Sequence, residues 1–87
     1  MYKISLSSQS IQDLVYFTKS QPKLLVKVTK LLESIYKTSS EGIGKPEPLK
    51  HDFQGCWSRR VDQEHRLIYF LQDEAIQIIS FRGHYED

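Results

Sequence analysis

The segment from Ala75 to Phe81 places the strongest limit on what this chain can fold into, because its sequence, AIQIISF, is apolar at nearly every position. A short, almost continuously apolar run that follows polar turn residues is typical of a strand buried on both faces. We therefore expect this segment to form a strand near the centre of a β-sheet.

Two further strand patterns precede it. Residues from Trp57 to Asp62 and from His65 to Leu71 have the length and composition of strands, and they are joined through Gln63-Glu64. The turn Gln72-Asp73-Glu74 then leads into the apolar segment. Connections this short join antiparallel neighbours, so the last third of the chain predicts three strands in hairpin succession.

The beginning of the chain predicts a strand followed by a helix. Alternation from Tyr2 to Leu6 indicates a half-buried strand, and helical spacing follows over residues 8–19. The serines at the junction are candidate N-caps, and Asp13 stands three residues after Ser10 in capping-box-like spacing. We expect the Asp13 carboxylate to help begin this helix.

A second helix begins near Pro22, which suits a first helical turn. Its apolar stripe is the clearest in the chain: Leu24, Leu25, Val28, Leu31, Leu32 and Ile35. Ser39, Ser40 and Gly42 end it, and the glycines and prolines from Glu41 to Gly55 predict a loop. The order of elements predicts an α+β fold with two layers, in which the N-terminal strand and two helices pack on a mainly antiparallel sheet.

Composition excludes several classes of protein. At 87 residues, the chain is long enough for one domain, over residues 1–87, and a pocket for a large cofactor would consume its core. The net charge of +1 gives no global basic signature, so attraction to nucleic acid must come from local arrangement. The single cysteine predicts a protein without an internal disulfide, and the three scattered histidines predict that no metal is bound. We see no signal or membrane-spanning segment in the sequence, so we expect a cytoplasmic protein, and we expect no cofactor.

Three runs hold the residues that suggest chemistry: GKPEPLKHDFQGCWSRR, EHRLIY and the terminal HYED. The predicted hairpins can bring Arg60, Arg66 and the end of the last strand together at one sheet edge. The candidate site contains a carboxylate, three cations, an imidazole and a phenol, supplied by Glu47, Lys50, Arg60, Arg66, His84 and Tyr85. A carboxylate and an imidazole are the usual base and acid, and cations stabilise a phosphorane. Such a set can cleave RNA without a metal, by attack of the ribose 2′-hydroxyl.

Each residue also has a purely structural interpretation. On composition alone, Glu47 between two prolines is more often an exposed loop charge, and Arg66 can pair with an acid of the hairpin turn. His84 and Tyr85 would normally be interpreted as a frayed end. For the remaining candidates the structural interpretation is preferred. His51 and His65 are interpreted as structural or solvated histidines, Phe53 and Trp57 as core aromatic rings, and Cys56 as a packed thiol. The lysines of the second helix are interpreted as a solvated face: Lys23, Lys27, Lys30 and Lys37.

The run GKPEPLKHDFQGCWSRRVDQEHRLIYF, followed by a terminal FRGHY, closely resembles the YoeB/Txe family of bacterial toxins within the RelE-like group. The resemblance covers nearly the whole chain. It implies a RelE-like fold and the toxin of a type II toxin–antitoxin system. It also implies an endoribonuclease that enters the A site of the 30S ribosomal subunit and cleaves the bound mRNA.

The resemblance also implies roles for the six site residues. Glu47 resembles the general base, His84 the general acid and Arg66 the main stabiliser of phosphorane charge. Lys50 and Arg60 match residues that grip phosphates, and Tyr85 matches a terminal aromatic that orients the substrate. Two departures are the glycine before His84 and the two acids that end the chain.

The implied partners are the ribosome with its mRNA, a second copy of the chain in a homodimer, and an antitoxin of the YefM/Axe type. Operator DNA would be contacted only indirectly, through the antitoxin, and no membrane is involved. The alternative is a non-catalytic module of the same fold that binds the ribosome or the antitoxin.

Overall fold

The computed structural model describes residues 2–83, and it contains the predicted elements in the predicted order. Strand β1 (Lys3–Leu6) is followed by helices α1 (Ser8–Ser20) and α2 (Lys23–Lys37). Strands β2 (Glu47–Pro48), β3 (Cys56–Arg60), β4 (Arg66–Gln72) and β5 (Ala75–Ser80) complete the described chain, with a 3₁₀ turn at His51–Phe53. His84 and Tyr85, two of the predicted site residues, lie outside the described residues.

The five strands form one sheet in the order β1-β5-β4-β3-β2. β1 pairs with β5 in parallel and every other pairing is antiparallel, so the predicted mainly antiparallel sheet is confirmed. β5 lies between β1 and β4, in keeping with its apolar sequence. Register fixes which side chains share a face, because directly paired residues point to the same side of a sheet.

The core lies between one face of the sheet and the two helices. Helix α2 buries Val28, Leu31 and Ile35, as its apolar stripe predicts. These side chains join others from α1, β4 and β5 in one cluster that includes Phe17, Leu67, Tyr69, Ile76, Ile78 and Phe81. The two-layer α+β fold is therefore confirmed, and the alternate residues of β3 and β4 project from the other face of the sheet.

The predicted role of Asp13 in starting α1 is wrong. Ser7 caps this helix, since its Oγ accepts a hydrogen bond from the Ser10 backbone N at 3.0 Å. The Asp13 carboxylate is buried and instead accepts from the backbone N of Phe81 at 2.9 Å and of Arg82 at 3.3 Å. The carboxylate at capping-box spacing thus accepts hydrogen bonds from backbone N–H groups that follow the last strand, far away in the sequence.

Strand β2 interrupts the region predicted as a loop. Glu47 pairs with Ser58 and Pro48 with Trp57 across β2 and β3, although β2 contains a proline. Proline is tolerated here because β2 is an edge strand, where a missing N–H costs no ladder bond on the open side.

Candidate functional site

Glu47 lies on the edge strand β2, and its side chain is exposed. It pairs with Ser58, which pairs in turn with Ile68 of β4, so these three side chains share one face. This face is opposite the helices, because the alternate residues Leu67 and Tyr69 belong to the core. Glu47 is therefore an exposed carboxylate on the face of the sheet away from the helices, which we call the open face, although Ser58 and Ile68 on that face are buried.

Arg60 and Arg66 share that open face. Arg60 is two residues beyond Ser58 in β3 and pairs directly with Arg66 of β4. Glu47 and Arg66 are thus separated by two interstrand spacings and two residues along the strand, roughly 12 Å between Cα atoms. Extended arginine and glutamate side chains can converge over such a distance, so the sheet brings Glu47, Arg60 and Arg66 to one surface.

Arg66 is half-buried and has no carboxylate partner within ion-pair distance in residues 2–83. Its Nη1 donates to the backbone O of Asp62 at 3.2 Å and of His65 at 3.4 Å. The Asp62 carboxylate is occupied with the turn itself, since its Oδ1 accepts from the backbone N of Glu64 and His65 at 2.9 and 2.7 Å. The structural alternative for Arg66, an ion pair with a turn acid, is therefore not observed.

The chain after β5 returns to Arg66. The Arg66 backbone N donates to the Gly83 backbone O at 2.9 Å, and the Gly83 N donates to Nδ1 of His65 at 3.0 Å. His65 is buried and structural, as its preferred interpretation predicts. Gly83 directly precedes His84 in the sequence.

Lys50 is exposed and sits immediately before the 3₁₀ turn His51–Phe53 that follows β2. Leu49, between β2 and this turn, is anchored by its backbone N, which donates to the Cys56 O at 2.9 Å. Lys50 therefore follows the Cys56 end of β3, whereas Arg60 and Arg66 lie at the opposite end of that strand, so the sheet register does not bring Lys50 together with the two arginines.

A basic cavity opens beside Arg60. Its volume is about 380 Å³, and the lining includes Lys27 of α2 and Lys45 of the preceding loop. Asp62 is the acid among the lining residues. Positive charge thus continues from the open face of the sheet toward α2.

Sequence reasoning missed Arg59, which is fully buried beside the exposed Arg60. Its guanidinium donates to Tyr69 Oη and Ser34 Oγ, and also to the backbone oxygens of Thr38, Glu41 and Ile43, at 2.7–3.1 Å. These carbonyls belong to the C-terminal end of α2 and the loop after it, where a cation is favoured by the helix dipole. Arg59 therefore anchors the segment that leads toward Glu47. Strand alternation was the available signal, since it puts Arg59 on the same face as Trp57.

Two groups in this region have altered acidity. Burial raises the pKa of the Tyr69 hydroxyl above its ordinary value, an effect that the hydrogen bond and positive charge of Arg59 partly oppose. Burial also raises the pKa of the Cys56 thiol, which fits a packed thiol rather than a nucleophile.

Within residues 2–83, no three histidine, cysteine or acidic side chains are grouped so that they could hold a metal ion. None of the helices formed by these residues is both long enough and apolar enough to cross a membrane.

Comparison with known proteins gives consistent matches. The family model described as YoeB-like toxin of bacterial type II toxin–antitoxin system matches residues 6–85. Toxin YoeB of Synechocystis is 43% identical over 97% of this chain and 98% of its own length. The YoeB dimer structure from Staphylococcus aureus has a TM-score of 0.86 at 42% identity and covers 97% of this chain and 98% of its own. The heterotetrameric YoeB–YefM complex from that organism has a TM-score of 0.85 at 42% identity, with 98% and 99% covered. The fold expected from the resemblance is confirmed.

Proposed function

The chain belongs to the YoeB-like toxins of bacterial type II toxin–antitoxin systems, and from that premise we propose that it is an endoribonuclease that cleaves mRNA in the ribosomal A site. The observation that carries the proposal is the juxtaposition of Arg60 and Arg66 on the face that also holds Glu47. Two cations paired across a sheet repel one another, and an RNA phosphate between them offsets that repulsion.

In the proposed reaction, the Glu47 carboxylate takes the proton from the ribose 2′-hydroxyl. The 2′-oxygen then forms a bond to phosphorus, and the bond from phosphorus to the 5′-oxygen of the next nucleotide breaks. His84 gives a proton to that leaving oxygen. The products carry a 2′,3′-cyclic phosphate and a free 5′-hydroxyl, so protons and bonds balance without an added water.

The cations act on charge rather than on protons. Arg66 stabilises the phosphorane, where a guanidinium can donate to two oxygens at once, while Lys50 and Arg60 hold the scissile and flanking phosphates. Tyr85 orients the substrate. The lack of a carboxylate partner for Arg66 in residues 2–83 supports this role, since its charge remains available to an anion.

We further propose that the protein acts in the cytoplasm as a homodimer, and that a YefM-type antitoxin neutralises it. The Staphylococcus aureus relatives form a dimer and a heterotetrameric complex with YefM. Exposed Ile11, Val15 and Val26 on the two helices give this chain apolar surface suited to protein contacts. Contact with operator DNA would be made by the antitoxin.

Primer extension on mRNA held in purified ribosomes tests the activity. Wild-type protein should create new mRNA ends at A-site codons, and Glu47→Gln should abolish them. Glu74→Gln is the matched control, because Glu74 is an exposed acid in the β4–β5 turn. Translation that stalls on intact mRNA would favour the non-catalytic alternative and overturn the ribonuclease.

A further inference from the structure

The turn between β3 and β4 is closed by a single side chain. Asp62 Oδ1 accepts hydrogen bonds from the backbone N of Glu64 at 2.9 Å and of His65 at 2.7 Å. Across the same turn, the Val61 backbone N donates to the His65 O at 3.0 Å. Aspartate and asparagine close turns in this way because their short side chain brings an oxygen to N–H groups a few residues further on. The shape of this turn therefore depends on a hydrogen-bond acceptor at position 62.

The closed turn presents two carbonyl oxygens to the side chain of Arg66. Its Nη1 donates to the Asp62 O at 3.2 Å and to the His65 O at 3.4 Å. Within residues 2–83, these are the hydrogen bonds of the guanidinium, and both leave from the same nitrogen. Since a guanidinium has five N–H groups in a planar fork, the edge formed by Nε and Nη2 keeps donors for a phosphate. The turn thus holds one corner of the group and leaves that edge for an anion.

Other features of the sheet do not orient this guanidinium. Arg66 begins β4 directly opposite Arg60, whose like charge repels it. In the part of the chain that the structure describes, no carboxylate lies within ion-pair distance of Arg66. An arginine side chain also has many rotamers to lose when it is held in one place. The two turn carbonyls are therefore the contacts that select its direction.

We propose that Asp62 is a positioning residue for the ribonuclease reaction: by closing the β3–β4 turn, it aims two carbonyl oxygens at Arg66 and so orients the guanidinium toward the phosphorane. This inference rests on the proposed function, which makes Arg66 the main stabiliser of phosphorane charge. Asp62 itself transfers no proton and touches no substrate. Its effect is geometric, because a misplacement of about 1 Å in a catalytic group can cost on the order of 10²-fold in rate.

A matched pair of variants separates turn closure from charge. Asp62→Asn removes the negative charge and keeps the oxygen that closes the turn, whereas Asp62→Ala removes both. A difference between the two variants therefore reports the turn, since both lack the charge. Circular dichroism and urea unfolding establish that each protein is folded. If Asp62→Ala does not fold, Asp62→Ser takes its place, because a serine hydroxyl closes such turns more weakly.

Single-turnover cleavage of mRNA on ribosomes is measured in these variants and in an Arg66→Gln background. Asp62→Ala should lower the maximal rate by about 10- to 10²-fold with little change in the concentration for half-saturation, and Asp62→Asn should retain most of the rate. Combined with Arg66→Gln, Asp62→Ala should cause little further loss, because a positioning residue has no effect once the group that it positions is absent. The same fold-loss in both backgrounds would overturn the proposal, as would equal losses in Asp62→Asn and Asp62→Ala.

A second readout follows the Arg66 side chain without any cleavage. The ¹H–¹⁵N NOE of Arg66 Nε–H reports fast motion of the guanidinium in the free protein. It should indicate a restrained side chain in the wild type and in Asp62→Asn, and a mobile one in Asp62→Ala. The same restraint in all three proteins would overturn the proposal. A wild-type protein that cuts no mRNA would overturn the proposed function instead, and the NOE would still show whether Asp62 orients Arg66.

Discussion

Arg60 and Arg66 lie directly opposite each other on adjacent antiparallel strands, on the face of the sheet away from the helices. Like charges at paired positions of a sheet reduce stability. A fold that retains such a pair without a carboxylate between them in residues 2–83 keeps its positive charge available for a ligand.

Arg66→Gln should therefore separate activity from stability. Cleavage of ribosome-bound mRNA should fall by about 10²- to 10³-fold, because the variant loses charge aimed at the phosphorane. The free energy of unfolding should stay equal or rise by about 0.2–1 kcal/mol, since the repulsion with Arg60 is removed. Primer extension and urea unfolding measure the two effects.

Arg60→Gln is the matched control for that variant, because it relieves the same repulsion from the other side. It should weaken binding of substrate more than it lowers the maximal rate, since Arg60 is assigned to a phosphate rather than to the phosphorane. A loss of more than about 1 kcal/mol in Arg66→Gln would mean that its bonds to the turn carbonyls outweigh the repulsion.

The two adjacent arginines of β3 should respond oppositely to the same substitution. Arg59→Met keeps an apolar stem but loses the bonds from the buried guanidinium to the backbone oxygens of Thr38, Glu41 and Ile43, and three such bonds at about 1 kcal/mol each predict a loss of about 3 kcal/mol. Arg60→Met should leave the free energy of unfolding equal or raise it by about 0.2–1 kcal/mol, since the side chain is exposed and its repulsion with Arg66 is removed. Equal effects in thermal or urea unfolding would contradict the assignment of Arg59 as a buried anchor.

Local patterns in the sequence were sufficient for most of the fold. Apolar spacing predicted α2 and β5, and short polar connections predicted the antiparallel hairpins. The exceptions depend on partners far away in the chain. β2 forms by pairing with the edge of β3. Asp13 accepts a hydrogen bond from the backbone after β5 instead of from the backbone of its own helix.

The candidate site was predictable to a similar extent. Alternation and hairpin pairing were enough to expect Arg60 and Arg66 close together, and the structure places them in direct register. The meeting point is the end of the β3–β4 hairpin rather than an edge of the sheet. No local signal marked His65 as the residue that binds Gly83, because that contact joins the β3–β4 turn to the backbone that follows β5.

Tyr69 should make stability fall at high pH. Burial raises the pKa of its hydroxyl above the ordinary value of 10.0, so the unfolded chain loses this proton at a lower pH than the folded protein does. The contribution of Tyr69 is therefore complete below about pH 10 and is lost as the pH rises from there through the folded-state pKa.

The comparison variant for that prediction is Tyr69→Phe, which also loses the bonds to Arg59 and the Ser39 carbonyl, at a cost of about 1–3 kcal/mol near neutrality. Urea unfolding of both proteins between pH 8 and about pH 10.5 should show the difference between them shrinking above about pH 10. Effects of pH that do not involve Tyr69 are common to both proteins and cancel in the difference. A constant difference across the range would show that Tyr69 ionises alike in the folded and unfolded chain.

The cavity beside Arg60 should contribute salt-sensitive affinity for the ribosome. Lys27 and Lys45 line this cavity of about 380 Å³ and extend the positive charge of the open face. Each lysine that neutralises a phosphate releases counterions, so it adds about one unit to the slope of log affinity against log salt. Lys27→Ala/Lys45→Ala should reduce that slope by about 2, measured as binding to mRNA-programmed ribosomes at several salt concentrations.

Lys3→Ala/Lys19→Ala removes the same charge from exposed positions outside the cavity and should leave the slope nearly unchanged. Equal slopes for the two double variants would assign the salt dependence to net charge rather than to this cavity.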